Sequence, residues 1–156
     1  MMGYLNDLEE TRRVFIEWNG QKLIRTGDYG RIDSEGLIYF YDRIKNTIVR
    51  KGNNIFPFEV ESVIHTVKGI KEVCVIGLPD ETEGTDIVCA CIVAQPDTEE
   101  KSLSAALKKR CEDCLPKVAV PSKVVFLQEL PKNQMGKIDR QSLKQMIWAK
   151  ENEQES

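Results

Sequence analysis

The sequence has no long hydrophobic run and no excess of basic residues. None of its apolar stretches approaches the roughly 20 residues that a membrane-spanning helix needs. The first residues, MMGYLNDLEETRR, lack the basic and apolar regions of a signal peptide. A net charge of −3 over 156 residues disfavours nonspecific nucleic-acid binding. We therefore expect a cytoplasmic protein with no transmembrane segment and no nucleic-acid partner.

Histidine is scarce, and a Walker A loop is absent. The single histidine, His65, lies in a predicted helix, and no sequence feature orients it toward a serine or a cysteine, so we give it no catalytic role. In the segment that ends at Gly136-Lys137, Pro131 stands where a Walker A loop has its first glycine. Ile138 replaces the Ser or Thr that holds magnesium there. Neither a histidine triad nor a P-loop is indicated.

The five cysteines form an odd set: Cys74, Cys89, Cys91, Cys111 and Cys114. A metal site would join Cys89-x-Cys91 to Cys111-x-x-Cys114, the latter pair facing the same side of a predicted helix. Zinc knuckles place such cysteines in turns, however, whereas Cys89 and Cys91 lie in the strand-like run IVCACIVA. We expect reduced, partly buried thiols and no metal, and keep a cysteine-bound metal protein as the weaker alternative.

Apolar patterning predicts an α+β fold for most of the chain. From Phe56 onward the predicted order is helix, strand, strand, helix, strand, helix, with Pro57 in the first turn of the first helix and Asp139 capping the last. The strand-like runs are EVCVIGLP, DIVCACIVA and KVVFLQEL, and the middle helix spans about Ser102 to Cys114. We expect a small three-stranded sheet flanked by helices.

A short β-hairpin segment is predicted to precede this sheet. Residues 1–21 are polar and show only a short helix, capped by Asn6 or Asp7. KLIRTGDYGR and GLIYFY then have the composition of two strands joined by a four-residue loop at 33–36. The first part is thus expected to contain a helix and one hairpin.

A domain boundary is predicted where the composition changes. The aromatic strand GLIYFY gives way to a charged segment at Tyr41-Asp42, which places the boundary between these two residues. Residues 1–41 then form one region, residues 42–150 a complete domain, and the charged residues 151–156 a frayed tail.

Several short motifs have residues suited to chemistry, and each also has a plain structural interpretation. Asp28 in RTGD can accept hydrogen bonds from the vicinal hydroxyls of a ribose, or can simply belong to a hairpin turn. Arg43 and Lys45 in DRIK can bind a phosphate or a carboxylate, or form a solvated surface. Gly52 permits a positive φ or the close passage of a ligand. Lys137 can bring a point charge to a carboxylate or phosphate, or be an ordinary loop lysine.

Taken in order, the motifs GYLND, RTGD, DRIK, RKGNNIFPFEVE and PKNQMGKIDR resemble the adenylate-forming (AMP-binding) superfamily of acyl-CoA synthetases, peptide-synthetase adenylation domains and luciferases. The resemblance covers nearly the whole chain. It implies that residues 1–41 end the large N-terminal AMP-binding domain and that residues 42–150 are the small C-terminal domain. KGNNIFPFEVE is similar to the acyl-CoA ligase form, because amino-acid adenylation domains usually carry Arg-Ile after the glycine turn.

The resemblance also implies roles for individual residues. Asp28 falls on the position that binds the ribose of AMP, and Arg43 on the arginine that approaches the nucleotide. Lys45 falls on the hinge about which the small domain swings, and Gly52 on the glycine that lines the pantetheine path of CoA. Lys137 matches the catalytic lysine that bridges the substrate carboxylate and the ATP phosphate during adenylation.

The function implied is that of the C-terminal fragment of an ATP-dependent acyl-CoA ligase. Such an enzyme converts a carboxylic acid and ATP to acyl-AMP, with Mg²⁺, and then transfers the acyl group to CoA. The acyl pocket and most of the ATP site would lie in the large domain, which is the expected partner, so the isolated chain is predicted to be inactive. Two alternatives are an adenylation domain that loads a carrier protein and a free-standing, non-catalytic docking module.

Overall fold

The computed structural model describes residues 3–80 and 84–154 and divides into two compact units, Met1–Lys45 and Asn46–Ser156. The first unit contains α1 (Leu8–Val14), β1 (Phe15–Trp18), β2 (Gln21–Ile24), β3 (Asp28–Ile32) and β4 (Ile38–Arg43). The second contains β5 (Ile48–Arg50), β6 (Asn53–Ile55), α2 (Pro57–His65), β7 (Ile70–Asp80), β8 (Thr85–Ala94), α3 (Glu100–Cys114), β9 (Lys123–Phe126) and α4 (Arg140–Gln154). A 3₁₀ turn, Ile44–Asn46, joins them along the chain.

The first unit begins with a capped helix. The Asp7 side chain accepts a hydrogen bond from the Glu10 N–H at 2.9 Å, and Glu9 and Glu10 lie in the first turn, where the helix dipole favours negative charge. This short helix was predicted, with Asp7 as one of its two candidate caps.

The strand that follows it, β1, was not predicted. Its four residues pair with β2, and so short a strand shows no sustained period in the sequence.

The predicted hairpin is present in part, as β3 and β4. The run KLIRTGDYGR, expected as its first strand, is divided into β2 and β3, and β2 pairs with β1 instead. Ile32 pairs with Ile38, so the loop has five residues, 33–37, where four were expected. Asp33 explains the extra residue, because its carboxylate accepts hydrogen bonds from the backbone N–H groups of Glu35 and Leu37 and closes a wider turn. The Leu37 hydrogen bond is also the main reason that the pKa of Asp33 is lowered.

The second unit is the α+β domain that the sequence predicted. β7 and β8 form a long antiparallel pair, and β9 lies parallel to β8, giving a three-stranded sheet in the order β7-β8-β9. A two-stranded hairpin, β5-β6, precedes α2. Pro57 occupies the first turn of α2, where its missing N–H removes no helical hydrogen bond.

Helices cover both faces of this sheet. Val73, Val75 and Ala90 are among the residues that face α2 and α3, while Ile76 and Cys91 face α4. The alternation follows from the two-residue period of a strand. Because both faces are buried, β7 and β8 have near-continuous apolar runs in the sequence.

The cysteines do not assemble as a metal site. Cys74, Cys89 and Cys91 are buried against α4, while Cys111 is buried in the opposite core cluster and Cys114 is exposed. The expectation of partly buried thiols is wrong for Cys111 and Cys114, because Cys111 is fully buried and Cys114 is exposed. Burial raises the pKa of the Cys111 thiol to about 11, which keeps it protonated.

Two sequence expectations concern the ends of the regions. β4 runs through Tyr41 and Asp42 to Arg43, and the boundary placed between those residues stays a prediction. α4 extends to Gln154, and the side chains from residue 150 onward lie outside the described ones, as do residues 81–83 of the polar loop between β7 and β8.

Within the described part of the chain, every helix is too short or too polar to span a membrane.

Candidate functional site

The first unit brings Asp28 and Arg43 together. Asp28 opens β3 and Arg43 ends β4, and the two are direct register partners across the hairpin. The Arg43 Nη1 atom lies 3.3 Å from Asp28 Oδ1 and donates to the Thr26 carbonyl at 2.8 Å. Gly27 has φ 75° and accepts a hydrogen bond from the Ile44 N–H, so the turn needs glycine for its backbone. Two separate motifs of the sequence thus form one carboxylate–guanidinium site.

This site is open to solvent. The side chains of Arg43 and Asp28 are 50% and 37% exposed, so their ion pair contributes little to stability. The pair leaves the second carboxylate oxygen, Oδ2, available for a hydroxyl donor. The site is therefore an exposed pair of opposite charges whose chemistry suits a polar ligand.

Lys45 lies in the 3₁₀ turn and is exposed. It is the last residue of the first unit, and the second unit begins at Asn46. A residue at such a junction can absorb a change in backbone angles without disturbing the packing on either side.

Gly52 belongs to a two-residue hairpin turn between β5 and β6. Lys51 and Gly52 both have positive φ, 49° and 75°, which is the pattern of a type I′ turn. The turn is tied to β8, because the Lys51 N–H donates to Thr85 Oγ1, which itself donates to the Val49 carbonyl. A Cβ on Gly52 would meet no atom within 4 Å, so φ, and not space, requires glycine there.

Lys137 ends a loop that is closed by its own hydrogen bonds. The Asn133 N–H donates to the Lys137 carbonyl at 2.8 Å, and Lys132 pairs with Ile138 just outside. Asn133 Oδ1 accepts from the N–H groups of Met135 and Lys137, at 3.0 and 3.1 Å. One amide side chain thus orders the loop, while the side chain of Lys137 stays exposed.

Asp139 caps α4 directly after this loop. Its carboxylate accepts from the N–H groups of Gln141 and Ser142 and from the Ser142 hydroxyl, and the Ser142 hydrogen bonds lower the pKa of Asp139. The Asp139 N–H donates to the Pro131 carbonyl at 2.8 Å. The predicted cap is confirmed, and it also anchors the base of the Lys137 loop.

Glu61 and Arg140 form an ion pair that the sequence analysis missed. Arg140 Nη2 lies 2.8 Å from Glu61 Oε1, and the two side chains are 25% and 16% exposed. One signal was present in the sequence: Glu61 stands four residues after Pro57 and three before Ile64, both of which are buried. A charged residue at the edge of the buried helix face needs a partner.

The candidate residues are therefore distributed over several separate places in the fold. Asp28 and Arg43 meet in the first unit, while Gly52 and Lys137 occupy different surface turns of the second. A small α+β domain whose polar groups lie on ordered surface turns can supply charge to a ligand held mainly by another domain. The fold therefore defines a small α+β domain that carries charged groups on ordered surface turns.

The chain belongs to the family of AMP-binding enzyme C-terminal domains. The family model matches residues 59–137, about half of the chain, and the matched part includes most of α2, the β7-β8 pair and Lys137. This bears out the resemblance to adenylate-forming enzymes and the α+β fold expected from it.

Curated relatives extend the match over nearly the whole chain. The long-chain-fatty-acid–CoA ligase FadD13 of Mycobacterium tuberculosis is 43% identical over 146 residues, which are 94% of this chain and 27% of that protein. A 2-succinylbenzoate–CoA ligase of Listeria monocytogenes is 37% identical over 144 residues, 92% of this chain and 29% of that protein. The chain thus spans just over a quarter of the length of these relatives. Both names are those of CoA ligases, so carrier-protein loading is not favoured.

Solved structures agree with this assignment. The ATP-bound RpMatB-BxBclM chimera B1 superposes with a TM-score of 0.82 at 32% identity, covering 92% of this chain and 28% of that one. The o-succinylbenzoate CoA synthetase MenE of Bacillus subtilis, in complex with its acyl-adenylate intermediate, has a TM-score of 0.77 at 33% identity, covering 92% and 28%. These relatives are solved with ATP and with an acyl-adenylate.

Proposed function

We propose that this chain is the C-terminal part of an ATP-dependent acyl-CoA ligase, which forms acyl-AMP from a carboxylic acid and ATP and then the CoA thioester. The observation that carries the proposal is the hydrogen-bonded loop that presents the exposed Lys137, at the end of the family match. A fixed positive charge there stabilises the negative charge that develops as the carboxylate attacks the α-phosphate.

The other candidate residues take complementary roles in this proposal. Asp28 accepts the ribose hydroxyls of AMP, and Arg43, its neighbour across the hairpin, approaches the nucleotide. Lys45 is the hinge about which the small domain swings between the two half-reactions. Its place at the junction of the units supports this role. Gly52 lines the path of CoA in the thioester-forming state, where a type I′ turn without a side chain leaves room.

ATP, Mg²⁺ and CoA act in the whole enzyme. The exposed Lys137 and the open carboxylate of Asp28 fit a nucleotide. Magnesium would come with the ATP phosphates and be held by the large domain, since the described residues contain no group of three or more His, Cys, Asp or Glu side chains suited to a metal. The five cysteines are free thiols, which agrees with the reducing cytoplasm predicted from the sequence.

The large N-terminal domain is the proposed partner. Leu5, Ile32, Ile38 and Phe40 are more than half exposed in the first unit, which is more apolar surface than a self-contained unit of this size presents. Burial of this surface against the rest of the large domain would complete it. The isolated chain is therefore expected to be inactive, because the acyl pocket and most of the ATP site lie outside it.

Pyrophosphate exchange tests the proposal. The full-length enzyme should catalyse acid-dependent exchange of labelled pyrophosphate into ATP, and Lys137→Ala should reduce the rate at least about a hundredfold by removing the charge. Lys132→Ala, in the same loop, is the matched control and should retain most of the rate. Exchange by the isolated chain, or normal exchange by Lys137→Ala, would overturn the proposal, and a CoA-dependence assay distinguishes thioester formation from carrier-protein loading.

A further inference from the structure

We propose that Glu61 and Arg140 are positioning residues for Lys137, a role that rests on the proposed function of Lys137. Their ion pair fixes the start of α4, and the Lys137 loop enters α4 directly. In this view the pair sets where the lysine ammonium is delivered during adenylation, although neither side chain touches the substrate.

One carboxylate oxygen and one guanidinium tie three elements together. Glu61 Oε1, from α2, accepts both from Arg140 Nη2 and from the Val75 N–H of β7, each at 2.8 Å. Arg140 Nη1 donates to the Val75 carbonyl and lies 3.2 Å from Cys74 Sγ. The planar fork of arginine makes this geometry possible, and a lysine could not reproduce it. The start of α4 is therefore held against both α2 and the sheet.

Only two residues separate Lys137 from this anchor. Ile138 pairs with Lys132, and the Asp139 N–H donates to the Pro131 carbonyl. The Asn133 side chain holds the other side of Lys137. The backbone of Lys137 is thus held on both sides, by the hydrogen bonds of Asn133 before it and by the contacts of Arg140 after it.

A second ion pair at the same loop provides a matched control. Lys132 Nζ lies 2.8 Å from Glu72 Oε2, but these side chains are 46% and 27% exposed and no further hydrogen bond is described for the Glu72 carboxylate. The two pairs have the same length, and each joins the loop region to another element: Lys132–Glu72 to β7 and Glu61–Arg140 to α2. The Glu61–Arg140 pair is the more buried of the two, and only its side chains also form hydrogen bonds with the backbone of Val75.

Hydrogen exchange on the chain itself tests the anchoring. In Glu61→Gln the amides of residues 133–143 should exchange about tenfold faster, because local opening at the start of α4 becomes easier. Arg140→Lys should give an intermediate effect and covers the case in which Glu61→Gln fails to fold. Glu72→Gln should leave these amides unchanged. Unchanged exchange in both Glu61→Gln and Arg140→Lys would overturn the proposal.

The two half-reactions of the full-length enzyme test the consequence for catalysis. Arg140→Lys and Glu61→Gln should lower kcat for pyrophosphate exchange roughly tenfold to a hundredfold with little change in the KM for ATP, since displacement of a catalytic group by about 1 Å has an effect of this size. Thioester formation from supplied acyl-AMP should keep its rate, because Lys137 is not used in that step. Equal loss in both half-reactions, or an equal effect of Glu72→Gln, would mean a merely structural role and overturn the proposal.

Failure of the proposed function would look different. If Lys137→Ala leaves pyrophosphate exchange intact while Glu61→Gln still accelerates amide exchange, the anchor exists but the loop has no part in adenylation. That result overturns both the function of Lys137 and the positioning role, and it is distinct from the case in which Lys137 is required and the anchor is not.

Discussion

The two units of this chain have similar fractions of apolar residues and use them in opposite ways. Among the described residues, every buried hydrophobic side chain belongs to the second unit. Of the exposed large hydrophobic side chains, all but Val49, Phe58, Met135 and Trp148 belong to the first. Isolated two-stranded hairpins are marginally stable in water, and the first unit adds no buried apolar core to its hairpins, whereas the second has two cores of its own.

The candidate sites follow the same division. The Asp28–Arg43 pair is solvent-exposed and held by little besides the hairpin register and the Thr26 carbonyl. The Lys137 loop, in contrast, is closed by Asn133 and adjoins the partly buried Glu61–Arg140 pair. A well-packed domain can hold a charged group in one place, whereas the proposed function leaves the site on the exposed hairpin to be completed by the large domain.

The largest effect should come from removing core volume in the second unit. Ile64 in α2 is fully buried, and Ile64→Ala should lower the free energy of unfolding by about 2–5 kcal/mol through lost transfer energy and the cavity left behind. Ile38, in β4, is 77% exposed, and Ile38→Ala should change the free energy of unfolding by less than about 0.5 kcal/mol. Urea unfolding followed by circular dichroism measures both. If the two variants lost equal amounts of unfolding free energy, the contrast between a buried core in the second unit and an exposed apolar surface in the first would be wrong.

A smaller effect is expected at the turn between β5 and β6. Gly52 has φ 75°, and Gly52→Ala should destabilise the second unit by about 1 kcal/mol, while Gly52→Asn should do so less because asparagine tolerates this conformation. Thermal unfolding of the chain compares the two variants. In the full-length enzyme both should slow thioester formation, since either side chain fills the proposed CoA path. Normal thioester formation by Gly52→Asn would leave Gly52 with a turn role alone.

The smallest effect concerns pH. The pKa of Asp139 is lowered in the folded chain by its Ser142 hydrogen bonds, so its contribution to stability is present above the ordinary carboxyl pKa and is lost as the pH falls below about 4. In Asp139→Asn the free energy of unfolding of the second unit should therefore depend less on pH in the acid range. Asp33 also has a lowered pKa, but Asp33→Asn should leave that dependence unchanged, because its turn lies in the unit without a buried core. An identical change in both variants would contradict this.

Local signals predicted much of the fold. The Asp7 and Asp139 caps, the start of α2 at Pro57 and the strands β7 and β8 all follow from residues close together in the chain. β1 escaped prediction because four residues are too few to display a period. The expectation of partly buried thiols failed at Cys111 and Cys114 because positions three apart on one side of a helix can still lie on either side of the boundary between core and solvent.

The sequence by itself determined the α+β class, the resemblance to adenylate-forming enzymes and the residues with chemistry in their side chains. Those depend on residue type and on short-range order, which the chain carries without folding. Only the tertiary structure decided that Asp28 meets Arg43 across a hairpin and that Glu61 meets Arg140 from a position 79 residues away. Such pairs depend on strand register and helix packing, which cooperative burial of both sheet faces sets and no local pattern encodes.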